Sequence, residues 1–375
     1  MAANSKSYKQ QRMTSSFLLN LVLVFICALF VIPIIGIFIT SFRNSEKIFN
    51  SGWWTFFPHK EWVEVGTYQI DKDVDLNAEI GYTTEDGTDL SGDYAYWKNG
   101  VTTKNGQKVQ YYGAKRTRTL KIYEQQWKGF ETGLTLENYQ NVLTGKKITY
   151  KGEDGSTLTR NGADLSKSFI NSFAVTIPAT IIPILIAAFA AYGFAWLNFK
   201  GRKVMFTLVV ALLVVPLQIA IVPVLQDFTK LNLNGTFLGI WLAHTGFGLP
   251  LAIYLLFNYI SEIPRDILES AFIDGATNYT IFTQLILPLS VPAIASFAIF
   301  QFLWVWNDYL VALVVLGGGN NEVVTQTLAN MVGTKGQDWH LLTAGAFISM
   351  IVPMAVFFSL QKYFVRGMMA GSVKG

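Results

Sequence analysis

Apolar residues in this chain come in long blocks of about twenty or more, enough for a helix to cross a bilayer core of roughly 30 Å. No other feature limits the fold as strongly. The blocks span residues 17–41, 169–196, 204–226, 236–258, 288–316 and 342–364. They predict an all-α polytopic membrane protein with six transmembrane helices. The composition agrees, with 51% hydrophobic residues and 14% charged ones, against about 25% charged in a soluble domain. A net charge of +4 gives nucleic-acid binding little support. The first block follows Lys6, Lys9 and Arg12 as a signal peptide would, but it outruns a signal core and no small-residue cleavage site follows, so it is read as a retained span.

Lys and Arg in the short segments set the orientation. Lys6, Lys9, Arg12, Lys200, Arg202, Lys203, Arg265, Lys362, Arg366 and Lys374 fall on one side, and Lys230 and Lys335 on the other. Residues 1–16, the loop 259–287 and the tail 365–375 are then cytoplasmic, and residues 42–168 form an insert outside. Its Tyr, Trp, Thr and Val content, with turn pairs Asp86-Gly87, Asn99-Gly100, Asn105-Gly106 and Asp154-Gly155, predicts a small β-rich domain built of hairpins. Its aromatic residues could stack on a ligand or make a small core. Pro216 and Pro223 in the third span, Gly246, Gly248 and Pro250 in the fourth, Pro288 and Pro292 at the start of the fifth and Pro353 in the sixth are expected to interrupt helices, either lining a cavity or shaping packing.

The cytoplasmic loop contains the stretch "ESAFIDGATNYTIFTQLILP", Glu269 to Pro288, which is acidic on the side that ought to be basic. Pro264, Asp266 and Glu269 suit a helix start, and Gly275 suits its end. Leu268, Ala271, Phe272 and Gly275 fall on one narrow face. Asn278 can cap a second short helix that leads to Pro288. A helix-Gly-helix elbow of this kind fits a groove on another protein better than an anionic lipid surface.

Glu269, Ala271, Gly275, Leu287 and Pro288 resemble the EAA motif of permease subunits of binding-protein-dependent ABC importers, with Ser270 at the second Ala and Leu285 at the Ile position. "FITSFRNSEKIF", "TLENYQNVL", "AAYGFAWLNFKGR", "IPRDILESAFIDGAT" and "FLWVWNDYLVALVVL" are similar to MalG-like carbohydrate permeases. "VVPLQIAIVP", "WLAHTGFGLPLAIYLL" and the terminal "AGSVKG" are similar to the α-glucoside branch, which also carries an enlarged loop after span one. The resemblance implies the type I ABC importer fold, with transport of α-glucosides or, as an alternative, of another glycoside such as a glucosylated osmolyte. It also implies a second permease subunit, two ATP-binding subunits and an extracytoplasmic solute-binding protein, within the lipid of the cytoplasmic membrane. Glu269, Ser270, Ala271, Asp274, Gly275, Leu287 and Pro288 would couple to the ATPase.

No cofactor is expected in this chain, because it has no phosphate-cradling G-x-x-x-x-G-K-[ST] loop and ATP and Mg²⁺ would sit on the partners. No enzymatic activity is expected either. His59, His244 and His340 are far apart, without a hydrolase or metalloprotease motif, and Cys27 is the single cysteine. For a sugar path the residues that combine flat or polar groups within the spans are Gln218, His244, Trp304, Trp306, Asn307 and Asp308. A satisfied structural hydrogen bond for His244, and an interfacial anchor for the Trp304 to Asp308 group, remain open. A self-contained secondary transporter would show repeated halves and buried ionisable groups, of which there is little sign.

Overall fold

The computed structural model describes residues 2–76, 78–84, 87–131, 133–145, 148–151, 157–160, 164–331 and 339–370. Asp86, the Asp154-Gly155 turn, Lys335, Lys146, Lys147 and most of the terminal "AGSVKG" lie outside them. The chain divides into a helical unit, residues 1–45 and 135–375, and a smaller unit, Glu46–Leu134.

In chain order, helix α1 (Ala2–Ser41) holds the first apolar block and continues through Pro33. A short helix α2 (Ser45–Asn50) and a 3₁₀ turn over Trp53–Phe56 lead into the smaller unit. Its strands are β1 (His59–Gln69), β2 (Ile80–Thr83) and β3 (Asp89–Gly92), then, after helix α3 (Tyr94–Asn99), β4 (Val101–Thr102), β5 (Lys108–Tyr111) and β6 (Thr119–Lys128). One antiparallel sheet has the order β1-β6-β5-β4, and β2 pairs with β3. Alternating residues of the strands close over Ile70, Ile80, Tyr82, Trp97, Val109, Tyr111 and Leu120. Trp97 is fully buried and its indole N–H donates to the carbonyls of Ile80 (3.0 Å) and Gly92 (3.1 Å), which satisfies the ring's single donor. Thus the buried aromatic residues of this unit make a core. Asn105-Gly106 turns the β4–β5 hairpin as its sequence suggests, whereas Asn99-Gly100 does not form a hairpin: Gly100, at φ 81°, ends α3 instead.

The compact unit is shorter than the predicted insert of 42–168. From Thr135 onward the chain belongs to the helical unit: α4 (Glu137–Thr144) buries Val142 against Leu165, Val324, Met331, Leu341 and Ala344. Asn138 in α4 donates to the carbonyls of Ser41 (2.8 Å) and Arg43 (2.9 Å), tying α4 to the end of α1. The sequence placed this segment in the β-rich insert, but one apolar face on a two-turn helix suffices to dock it. A hairpin, β7 (Ile148–Lys151) with β8 (Thr157–Arg160), precedes the remaining helices.

Those helices are α5 (Leu165–Trp196), α6 (Arg202–Ala211), α7 (Leu217–Lys230), α8 (Phe237–Ser261), α9 (Arg265–Ile273), α10 (Asn278–Ile281), α11 (Leu287–Leu289), α12 (Val291–Trp306), α13 (Leu310–Leu316), α14 (Val324–Met331) and α15 (Trp339–Ala370). Among the described residues four helices are long and apolar enough to cross a membrane, or six if each of two bent pairs counts as one span. The third apolar block is one bent pair: residues 202–214 and 217–230 meet at 104°. Pro216 forces the residue before it out of the helical region, and Val215 adopts φ −72°, ψ 118°. The fifth block is not one helix either. Residues 278–289 and 291–306 meet at 69°, and α12 then stops before α13 at Asn307–Tyr309.

The other expected interruptions do not occur. Pro223 lies within α7, Gly246, Gly248 and Pro250 lie within a continuous α8, and Pro353 lies within α15. In lipid, neighbouring helices can satisfy the backbone groups a proline frees, so proline alone does not decide a break.

Candidate functional site

Two places gather the residues singled out by sequence. The first is the elbow between α8 and α12. Pro264 stands just before α9 and Asp266 lies in its first turn, where the positive end of the helix favours a carboxylate. Ser270 Oγ donates to the carbonyl of Asp266 (2.8 Å), and Arg265 Nε lies 3.3 Å from Glu269 Oε1 in an exposed pair of little energetic weight. The helix ends in a Schellman turn: Ala276 N–H donates to Ala271 O (3.0 Å) and Gly275 N–H to Phe272 O (3.1 Å). Gly275 sits at φ 77°, a conformation in which a side chain is strained. The second helix is capped by Thr277, not by the expected Asn278; Thr277 Oγ1 accepts from Thr280 N–H (3.2 Å). Asn278 is instead the first helical residue, and its Oδ1 accepts from Tyr192 Oη (3.3 Å). A π-helical turn over Phe282–Ile286 then leads to Leu287-Pro288 and the bend at Ser290.

Leu268, Ile281, Phe282 and Ile286 are buried in a core shared with α5 and α8, and Phe282 stacks on Phe189 at 4.3 Å. The elbow is therefore held rigidly from behind. The expected contact face of Leu268, Ala271, Phe272 and Gly275 divides: Leu268 is fully buried in the chain's own core and Ala271 is half-buried, while Phe272 and Gly275 are exposed. Glu269, Ser270, Asp274 and Pro288 are exposed and Leu287 is half-buried. Two residues outside the predicted face dominate the outer surface, Ile273 at 86% exposure and Tyr279 at 71%. An apolar β-branched residue beside the helix-ending glycine, off the stripe that packs inward, was the available signal.

The second place is the junction of α8 with α12 and α13. His244 is fully buried, and neither ring nitrogen has a hydrogen-bond partner among the described residues. Its Nε2 lies 3.8 Å from Asp308 Oδ2, beyond hydrogen-bond length, and its ring meets Trp304 edge-on at 6.0 Å. Asp308 caps α13, accepting from Ala312 N–H at 3.0 Å and Val311 N–H at 3.4 Å. Gln301, which the sequence reading missed, is fully buried; its Nε2 donates to Ala179 O (3.2 Å) and reaches His244 O (3.5 Å). A cavity of about 450 Å³ opens beside this cluster, lined by Trp304, Phe300, Gly246, Gly248 and Pro250 among others.

The remaining candidates stand apart. Trp306 is buried between Phe169, Phe173 and Phe302 and donates to Ser349 O (3.3 Å), so it packs α5, α12 and α15 together rather than lining the cavity. Asn307 is exposed and its amide donates back to Leu303 O (2.8 Å). Gln218 is exposed on α7 and does not line the cavity.

Gly248 makes the close approach of Gln301 possible: a Cβ there would fall 2.7 Å from both terminal atoms of that amide. Gly248→Leu is expected to cost about 1–3 kcal/mol by overpacking, seen as a lower unfolding midpoint in detergent. Gly246→Ala, where a Cβ meets nothing within 4 Å, should leave the midpoint unchanged.

Residues 176–370 match the family model described as "Binding-protein-dependent transport system inner membrane component". The chain is 40% identical over 394 residues, 97% of this chain and 99% of the relative, to the alpha-glucoside transport system permease protein AglG of Rhizobium meliloti. It is 62% identical over 226 residues, 60% of this chain and 75% of the relative, to the osmoprotective compounds uptake permease protein GgtD of Synechocystis. A probable ABC transporter permease protein of Pyrococcus horikoshii is 36% identical over 241 residues, 64% of this chain and 82% of the relative.

Proposed function

The chain belongs to the family of binding-protein-dependent transport system inner membrane components, and on that premise we propose that it is the permease of an ATP-driven importer carrying α-glucosides such as maltose, sucrose or trehalose across the cytoplasmic membrane. The observation that carries the substrate class is the 40% identity to AglG over 97% of this chain, because it runs through the insert as well as the helices. A glucosylated osmolyte is the second reading, supported by the 62% identity to GgtD over 60% of this chain.

In this reading a second permease completes the membrane pathway. Two ATPase subunits bind ATP and Mg²⁺, and a solute-binding protein delivers sugar on the side of the insert. The basic residues at both ends of the chain and after α5 support cytoplasmic termini, with the α9–α10 elbow on the same side. The ATPase contact is then the exposed surface of Phe272, Ile273 and Tyr279, ringed by Glu269 and Asp274, which suits an apolar groove with a basic rim. Because Leu268, Ile281, Phe282 and Ile286 lock the elbow to α5 and α8, a displacement of the elbow moves those helices as a body. Sugar would pass the cavity beside Trp304, whose indole offers an apolar ring face; His244 and Asp308 lie behind that ring and do not line the cavity.

The test is ATP-dependent uptake into vesicles holding the whole complex, across maltose, sucrose, trehalose and a glucosylated osmolyte. Preferred uptake of the disaccharides is expected, whereas preference for the osmolyte would favour the second reading. Uptake without ATP would sink both.

A further inference from the structure

The smaller unit carries an aromatic surface that its own core does not use. Trp53, Trp54, Phe56, Phe57 and Phe130 form one continuous set of ring contacts, with centroids 5.2 to 6.5 Å apart. Trp54 is 63% exposed and Phe130 60%. The set is ordered: Glu131 N–H donates to Phe56 O (3.0 Å), and the Trp54 ring lies so close over Gly52 that a Cβ there would fall 2.3 Å from it. It stands at the end of the sheet where His59 pairs with Lys128, and Trp127, 71% exposed, lies opposite Lys60 at that same end.

We propose that this aromatic surface seats in the headgroup region of the bilayer and anchors the smaller unit to lipid. Covalent reach puts the membrane boundary within its range. Phe130 is five residues from Thr135, about 17 Å of chain at most, and Thr135 N–H donates to Phe42 O (2.7 Å) at the end of α1, the first span. The chemistry fits the interface better than a sugar. From Gly52 to Phe57 there is no charged residue, and the one hydroxyl, Thr55 Oγ1, is turned inward to Gly52 O (2.7 Å). A sugar platform would need outward polar groups around the rings. Indole rings prefer the membrane–water boundary, where the ring is apolar and the N–H meets headgroups. The indole N–H groups of Trp53 and Trp54 have no partner among the described residues. Two lysines at this end pair with carboxylates, Lys47 with Glu131 at 2.6 Å and Lys128 with Glu61 at 2.5 Å, while Lys60 stands exposed there, so insertion of the rings is told from attraction by charge through its independence of anionic lipid.

The test uses the full chain with its partner subunits in lipid vesicles. Nitroxide labels are placed at Trp54→Cys, Phe130→Cys and, as a reference, Tyr112→Cys, each in a Cys27→Ser background. Tyr112 is exposed near the start of β6, and that ten-residue strand, about 33 Å long, runs from it to the aromatic end. At positions 54 and 130 the ratio of oxygen to aqueous nickel-chelate collisions should be at least tenfold that at 112. It should be equal in phosphatidylcholine vesicles and in vesicles with added phosphatidylglycerol. A ratio like that of position 112 overturns the proposal. So does exclusion of both probes, which would mean that a protein covers the surface, and so does a ratio that rises only with anionic lipid.

Discussion

Ile273→Glu, at the outermost point of the α9–α10 elbow, is expected to lower ATP-dependent uptake by roughly thirtyfold to a few thousandfold while leaving the chain folded. With 86% of its surface exposed, Ile273 contributes almost nothing to the chain's own core, so its replacement should move the unfolding midpoint little. If an ATPase groove closes over that residue, a carboxylate placed there must be desolvated without a partner, which costs about 2–5 kcal/mol, and each 1.4 kcal/mol is about tenfold in affinity. Glu269 and Asp274 are exposed nearby and would repel the new charge, so rescue within the chain is not available. The measurement is co-purification of the ATPase subunits together with uptake. Wild-type uptake by Ile273→Glu would remove the elbow from the coupling contact. Leu268→Glu would be a misleading variant, because Leu268 is fully buried and its loss would unfold the support of the elbow rather than its contact.

That distinction shows what a periodic pattern carries. Leu268, Ala271 and Phe272 do lie together on α9, with Gly275 just past its end, but spacing cannot say whether such a stripe faces the chain's own core or a partner. Here it straddles the boundary between the two. The ends of the elbow were more legible, because glycine at φ 77° answers a local need and Gly275 meets it whatever surrounds it. The apolar blocks were legible for the same reason, since backbone hydrogen bonding in lipid leaves a single chain few options besides helix. Bends were not: Pro216 breaks its block and Pro250 does not, although both stand within apolar runs, so a proline by itself does not separate the two outcomes. Likewise α4 was hidden in the polar insert because its partners Val324, Met331 and Leu341 lie far away in sequence.

The pair Trp304 and Trp306 should separate experimentally in the way their surroundings differ. Both arise from the same five-residue stretch, Trp304 to Asp308, and both combine a flat ring with a donor, so residue type alone put them together. Trp306→Ala is expected to destabilise the chain by about 2 kcal/mol or more. In a soluble core such a truncation costs about 3–5 kcal/mol. In lipid the transfer share shrinks, because a detached helix still sits in apolar solvent. The cavity remains: roughly 100 Å³ at about 24 cal/mol per Å³ gives about 2 kcal/mol. To this is added the lost indole bond to Ser349 O (3.3 Å), worth on average about 0.6 kcal/mol between helices in a membrane. Because Trp306 touches Phe169 and Phe173 on α5 and Ser349 on α15, the loss loosens three helices at once and should lower the unfolding midpoint in detergent for the whole helical unit. Trp304→Ala removes a half-buried ring that faces a cavity, so the midpoint should fall much less, while uptake drops through a weaker apparent affinity for sugar. If Trp306→Ala left stability intact and altered sugar preference instead, the ring would belong to the transport path and the packing role argued from Phe169, Phe173 and Ser349 would be wrong.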